Sequence, residues 1–146
     1  MKIAIGADHK GYQVKDEVKR FLQKLGHEIM DFGTDSDKSV DYPDFGLKVA
    51  RAVANGKADY GITVCWTGNG MNMTANKIRG IRAGLALNAE MAYLTRLHND
   101  ANILTLAAKY TSREDLEDII KVFLDTEFEG GRHIPRIDKI RQAEQD

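Results

Sequence analysis

The chain's one cysteine, Cys65, stands in the run Cys65-Trp66-Thr67-Gly68-Asn69-Gly70, between an apolar stretch and a helix-forming one. A thiol at a strand end, followed by glycines and a helix start, lies where unpaired backbone N–H groups converge. Those groups favour the thiolate and so make the sulfur a better base or nucleophile. They can equally hold a phosphate or an oxyanion, because glycines let a ligand approach the main chain. The same run also fits a tight turn that buries a small apolar side chain. Asp8-His9 follows the first apolar run, where Asp8 can cap the next helix or join His9 in a polar site. His98-Asn99-Asp100 closes an amphipathic segment, a place where a histidine is structural as readily as catalytic. Arg132 and Arg136, four apart with His133 beside them, have the spacing to clamp one phosphate on a helix face, and they also fit a solvated basic surface. Gly130-Gly131 puts that pair just after a break in the chain, convenient for reaching into a neighbour's site. One cysteine and four scattered histidines give no close metal-ligand spacing. Neither a P-loop ending nor a G-x-G-x-x-G after the first strand is present, so nucleotide binding has little support.

These residues need elements to position them. Short β-branched runs at Lys2–Gly6, His27–Phe32, Tyr60–Val64, Ile81–Leu87 and Asn102–Ala107 read as strands. Between them lie helical segments at Tyr12–Leu25 (apolar Val14, Val18, Phe21, Leu22 and Leu25, with Gly26 as the stop), about 43–54, about 71–77 and Ala89–Leu97. A further helix spans Ser112–Leu124, with Ser112 as N-cap. Strands alternating with helices predict βαβ crossovers: a Rossmann-like three-layer α/β/α sandwich around a five-stranded parallel sheet. In such a sheet ligands bind beyond the carboxyl ends of the strands, and that rule directs attention to the segments at 6–9, 65–70 and 97–100. From about residue 129 to 146 the tail reads as a polar helix whose sparse stripe, Ile134, Ile137 and Ile140, predicts packing on a partner subunit.

At 146 residues the chain is the size of a single domain, and 42% hydrophobic with 29% charged residues is an ordinary globular balance. Twenty-one Lys and Arg against 22 Asp and Glu leave no basic excess, which argues against a nucleic-acid partner. No stretch approaches the ~18 apolar residues of a membrane span. An unpaired cysteine and no secretory pattern point to the cytoplasm.

Seven motifs carry a likeness to a known family: Ile5-Gly6-Ala7-Asp8-His9, Asp41-Tyr42-Pro43, Cys65-x-Thr67-Gly68-x-Gly70, Ala75-Asn76-Lys77, Gly80-Ile81-Arg82-Ala83, His98-Asn99-Asp100-Ala101-Asn102 and Glu127-Phe128-x-Gly130-Gly131-Arg132-His133. In order, and over about residues 2 to 140, the chain resembles the type B ribose-5-phosphate isomerases, whose family includes galactose-6-phosphate and allose-6-phosphate isomerases. The resemblance implies aldose–ketose isomerisation through a cis-enediolate, with no metal or cofactor. It makes Cys65 the general base, Thr67 the residue assisting proton movement among oxygens, and His98 the residue that opens the furanose ring. The amides from Gly68 through Asn69 and Gly70 to Met71 become the anion hole. Asp8, His9, Tyr42, Asn99, Arg132 and Arg136 become the binders of sugar hydroxyls and phosphate. It further implies a homodimer with sites shared between subunits, with pairs of dimers in a tetramer as a further possibility.

Three positions depart from the family pattern. Trp66 replaces the usual glycine, and its indole either meets the sugar or packs outward. Met71 stands where one subgroup has a glutamate base, which leaves Cys65 as the loop's candidate. Asn72 replaces a small serine. These changes bear on which sugar is used: ribose 5-phosphate leads, a six-carbon sugar phosphate such as allose 6-phosphate or galactose 6-phosphate follows, and a non-catalytic sugar-phosphate-binding module is the alternative from another class.

Overall fold

A computed structural model describes residues 1–145. Five strands, β1 (Lys2–Ala7), β2 (Glu28–Asp31), β3 (Tyr60–Cys65), β4 (Ala83–Leu85) and β5 (Ile103–Ala107), form one sheet in the order β2-β1-β3-β5-β4. Every pairing is parallel, with Ala7 opposite Val64 and Cys65 opposite Ala107. The helices are α1 (Tyr12–Lys24), α2 (Tyr42–Ala54), α3 (Asn69–Ala75), α4 (Ala89–Leu97), α5 (Arg113–Asp125) and α6 (Ile134–Ala143), with a 3₁₀ turn at Gly131–His133 just before α6. No helix among the described residues is long and apolar enough to cross a membrane.

The strand alternation sorts the core into two layers. Ile3, Ile5, Ile62, Val64, Leu104 and Leu106 pack on one face under α1, α4 and α5, whose Val18, Leu22, Ala92, Ile119, Ile120 and Phe123 are buried. Ala4 and Ile103 turn to the other face, under α2 and α3, where Val49, Ala50, Val53 and Ala75 close the layer. This is the α/β/α sandwich expected. The predicted caps also form: Gly26 ends α1 at a φ of +88°, and Ser112 Oγ accepts the Asp115 N–H at 3.1 Å. The two outer strands are shorter than the apolar runs suggested, four residues for β2 and three for β4, because each has a ladder on one side only.

Two findings revise the reading of the tail. Arg132 lies in the 3₁₀ turn and Arg136 in α6, so the pair spans a junction and does not share one α-helical face. The tail also docks on its own chain: Ile137 is buried, and Glu144 Oε1 accepts the Gly80 N–H at 3.0 Å. Ile134 and Ile140 stay about half exposed, at 47% and 48%.

Candidate active site

The chain leaves β1 toward β2 on one side and returns to β3 on the other, so the carboxyl ends of β1 and β3 flank a switch point. Asp8 and Cys65 meet there. Asp8 is buried, and its Oδ1 accepts the N–H groups of Lys10 and Gly11, both at 3.0 Å; it closes the turn before α1, whose N-cap is Gly11 and not Asp8 as expected. His9 Nδ1 accepts the Val40 N–H at 3.2 Å. With that nitrogen occupied as an acceptor, the neutral ring carries its proton on Nε2 and can donate outward.

Cys65 is buried, and the backbone N–H groups of Met71, Gly68 and Gly70 lie near enough to favour the charged form of the sulfur. Those amides do favour the thiolate, as expected from the loop. Burial nevertheless outweighs them, and the nearby Asp8 charge adds to it, so the thiol is held above its usual range rather than below it. The resting sulfur is therefore a protonated thiol at neutral pH, a correction to the expectation of a ready thiolate. The loop that aims the amides depends on Gly68, which caps α3 at a φ of +84°, a region that L side chains rarely enter.

The remaining loop residues divide by what they offer. Thr67 Oγ1 accepts the Asn69 N–H at 3.4 Å, which turns the chain into α3. Asn69 is exposed. Met71 contributes its N–H; its side chain is fully buried against Gly46 of α2. Tyr42, at the start of α2, lays its ring directly against Gly70 and is 40% exposed. Trp66 is 45% exposed at the same edge, with Lys10 Nζ 5.6 Å from its ring centroid.

Sequence reasoning missed the residue that fixes the loop opposite. Lys15 has no exposed surface, yet its Nζ donates to both oxygens of Asp31 and to Asp35 Oδ1, all at 2.9 Å. Burial would strip its proton, but these carboxylates more than compensate and hold the pKa above the usual lysine value. Asp31 in turn accepts the Gly33 N–H, while Gly33 O and Thr34 N bond to Ala7 at 2.7 and 2.8 Å. The buried cation thereby ties the segment carrying Val40 and Tyr42 to the end of β1. An apolar-spaced helix with a lysine on its inner face was the available signal.

His98 and its neighbours do not join this group within one chain. Helix α4 returns from the carboxyl end of β4 to the amino end of β5, so the residue that ends it lies at the opposite edge of the sheet from Cys65. Along β5 alone the offset is about 13 Å. The expectation that 97–100 sits at the carboxyl edge is thus overturned: the rule covers loops that follow strands, and this loop follows a helix. At the amino edge the tail supplies company. The His98 ring stacks on His133 with centroids 4.5 Å apart, and the Glu129 N–H donates to Leu97 O at 3.0 Å. Arg132 Nη1 lies 3.3 Å from Glu129 Oε1, and Arg132, Arg136 and Asn99 are exposed.

Ligating atoms of His98, Glu129 and His133 fall within 4.8 Å of one another, as do those of Asp16, Asp31 and Asp35. Both groupings were invisible to sequence spacing because the fold assembles them. The aspartates of the second are engaged by Lys15, at 3.4 Å from Asp16 Oδ1 and 2.9 Å from Asp31 and Asp35. A cavity of about 860 Å³ opens beside β4, lined by Asn76, Arg82, Thr95, Asn99 and Ile140 among others, and does not include Cys65.

Comparison with known proteins agrees with this architecture. Residues 3–140 match the model of the Ribose/Galactose Isomerase family. The ribose-5-phosphate isomerase B of Escherichia coli is 41% identical over 144 residues, covering 99% of this chain and 97% of the relative. The solved ribose-5-phosphate isomerase B of Clostridium thermocellum superposes with a TM-score of 0.98 at 51% identity, over 99% of this chain and 98% of that one. That of Mycoplasma genitalium, solved with bound ribulose-5-phosphate, gives a TM-score of 0.94 at 38% identity, over 99% and 97% of the two chains. With fold, motif order and full-length similarity in agreement, the chain belongs to the ribose/galactose isomerase family.

Proposed function

We infer that this chain is an aldose–ketose isomerase that interconverts ribose 5-phosphate and ribulose 5-phosphate. The observation that carries the reading is the placement of a buried thiol at the carboxyl end of β3, followed directly by the left-handed Gly68 and the start of α3, at the switch point of the sheet. Relatives named ribose-5-phosphate isomerase B, alike over their whole length, support the choice of substrate.

In this reading Cys65 takes the proton from the carbon beside the carbonyl and returns it to the neighbouring carbon. A carbon acid of that kind yields to a thiolate only if the developing oxyanion is caught, and loss of one such donor can cost ~3 kcal/mol. The loop amides supply the donors, and Thr67 assists proton movement between the sugar oxygens. Since the resting thiol is protonated, the thiolate is the minor form that reacts. Asp8, His9 and Tyr42 stand around the loop as hydroxyl and phosphate binders. His98 opens the furanose ring, and Asn99, Arg132 and Arg136 anchor the phosphate. Binding of the distant phosphate orients the reacting end of the sugar.

The two groups of residues occupy opposite edges of one sheet, so a working site needs two copies of the chain. We propose a homodimer in which the Cys65 edge of one subunit faces the His98 edge of its partner, with residues 1–146 as one catalytic domain and the open Ile134 and Ile140 covered in that assembly. No cofactor takes part, and the enzyme works in the cytoplasm.

The test is a panel of ribose 5-phosphate, allose 6-phosphate and galactose 6-phosphate assayed with the wild type and Cys65→Ala. Turnover of the pentose and its loss in the variant, with binding retained, is the expected result. Substantial residual turnover in the variant refutes the base assignment, and preference for a hexose moves the substrate. Binding without exchange of the C2 proton with solvent makes the protein a sugar-phosphate-binding module instead.

A further inference from the structure

The His98 imidazole has no hydrogen bond to any described residue; what fixes its plane is the face of His133, 4.5 Å away between centroids and tilted by 24°. His133 is well suited to be that face. It is 5% exposed, sits in the 3₁₀ turn, and closes the turn by donating its N–H to Gly130 O at 3.2 Å. The Phe128 ring lies 6.5 Å from it on centroids, and Glu129 Oε2 faces His133 Nε2 at 3.5 Å. That contact is not a hydrogen bond, and the buried Nε2 has no hydrogen-bond partner among the described residues. Burial first, then the neighbouring Arg132 and His98, keep His133 below the usual histidine range and hence uncharged at neutral pH. The backbone is stitched at the same place, where the Glu129 N–H reaches Leu97 O, one residue before His98.

The same three side chains invite comparison with a two-histidine, one-carboxylate metal set. Nearly parallel rings aim their in-plane lone pairs side by side rather than at a common point, and Glu129 Oε1 is already engaged by Arg132 at 3.3 Å. The arrangement fits a shelf better than a cage.

We propose that His133 is a positioning residue for ring opening: its buried imidazole, fixed in the 3₁₀ turn, is the shelf that holds the His98 ring in the plane from which it reaches the sugar. This rests on His98 as the ring-opening residue, a role it deepens.

The experiment uses the full-length protein with His133→Ala and His133→Phe. Ribose 5-phosphate, which is largely cyclic, and ribulose 5-phosphate, which cannot close a furanose, are assayed in parallel. Ring-proton NMR signals of His98, assigned with His98→Asn, report the stack through its ring current. His133→Ala should lower kcat about tenfold on ribose 5-phosphate and less than twofold on ribulose 5-phosphate, and should move the His98 signals downfield. His133→Phe, which keeps an aromatic face, should restore both. Unmoved His98 signals in His133→Ala, equal losses on both substrates, or no recovery in His133→Phe would overturn the shelf. Should His98→Asn itself lose equally on both substrates while the His98 signals still respond to His133→Ala, the ring-opening role falls and the stacking stands.

Discussion

Gly70→Ala separates the Tyr42 ring from the loop amides. A Cβ at Gly70 would lie 2.5 Å from Tyr42 Cζ and 2.6 Å from Cε1, so the phenol must move. Forcing atoms into packed space costs ~1–3 kcal/mol, and a ring that is 40% exposed can swing toward water, which favours the low end of that range. Gly70 is the second residue of α3, where alanine gains up to ~1 kcal/mol of helix preference over glycine. The two effects nearly cancel, and Tm should stay within ~4 °C of wild type. Function should not be spared. The backbone keeps its course, with Thr74 Oγ1 still donating to the residue 70 carbonyl, so the loop amides stay in place and kcat holds within ~3-fold. The displaced phenol takes one substrate contact with it, worth ~1.4 kcal/mol, a tenfold rise in KM. Steady-state kinetics on ribose 5-phosphate with a thermal melt on the same sample measure all three quantities. In a Tyr42→Ala background the added Gly70→Ala should change KM no further, because the ring it displaces is gone. A hundredfold loss of kcat at unchanged KM would mean that the amides moved instead, and a fall in Tm beyond ~10 °C would mean that the ring is held in place.

Burial holds the Cys65 thiol above its usual range, so with the thiolate as the proposed base kcat/KM should climb roughly tenfold per pH unit from 7 toward 9; a flat profile there contradicts the assignment. Lys15→Met removes one partner of a buried ion pair, for which ~3–5 kcal/mol is usual; Lys19 at 3.1 Å remains on Asp31, so a loss near ~3 kcal/mol by urea unfolding is expected. The Asp31 carboxyl is held below its ordinary 3.8, so its contribution is present above that pH and fades as acid lowers the pH through the depressed value; the acid-unfolding midpoint of Lys15→Met should therefore shift upward. Trp66→Gly should raise turnover of a six-carbon relative to a five-carbon sugar phosphate if the indole walls the site, read as the ratio of kcat/KM values. Co-folding Cys65→Ala with His98→Asn subunits should return about a quarter of wild-type activity on ribose 5-phosphate, since half the random dimers are mixed and each mixed dimer has one intact site; no recovery would place both residues in one chain's site.

Much of this was legible in the sequence because it depends on local signals. The short apolar runs of β1 and β3, the helical spacing of Val14, Val18 and Leu22, and the Ser112 cap each act within a few residues and survive folding. The Cys65 loop was legible for the same reason, since Gly68 and the helix behind it direct the amides, although α3 begins at Asn69, two residues before the expected start. The thiol's protonation was not, because it depends on how deeply the fold buries the sulfur beside Asp8, far away in sequence and adjacent across the β1–β3 ladder. Lys15 and His133 were passed over because a buried cation and a stacked imidazole are defined by partners from other elements.

The placement of His98 carries the wider lesson about reading α/β chains. In a parallel sheet every strand ends at one edge and every crossover helix ends at the other, so a motif's edge follows from the element that precedes it. Cys65 follows β3 and His98 follows α4; a chain that needs both on one sugar cannot bring them together by folding alone, whatever its loops do. Two copies related by a two-fold axis solve the problem twice at once, since the contact that brings one subunit's thiol to its partner's imidazole also makes the reciprocal pair. On this reasoning catalysis and association are inseparable: a substitution at Ile134 or Ile140 that opens the proposed interface should abolish turnover while leaving each subunit's own core, sealed by Ile137, intact.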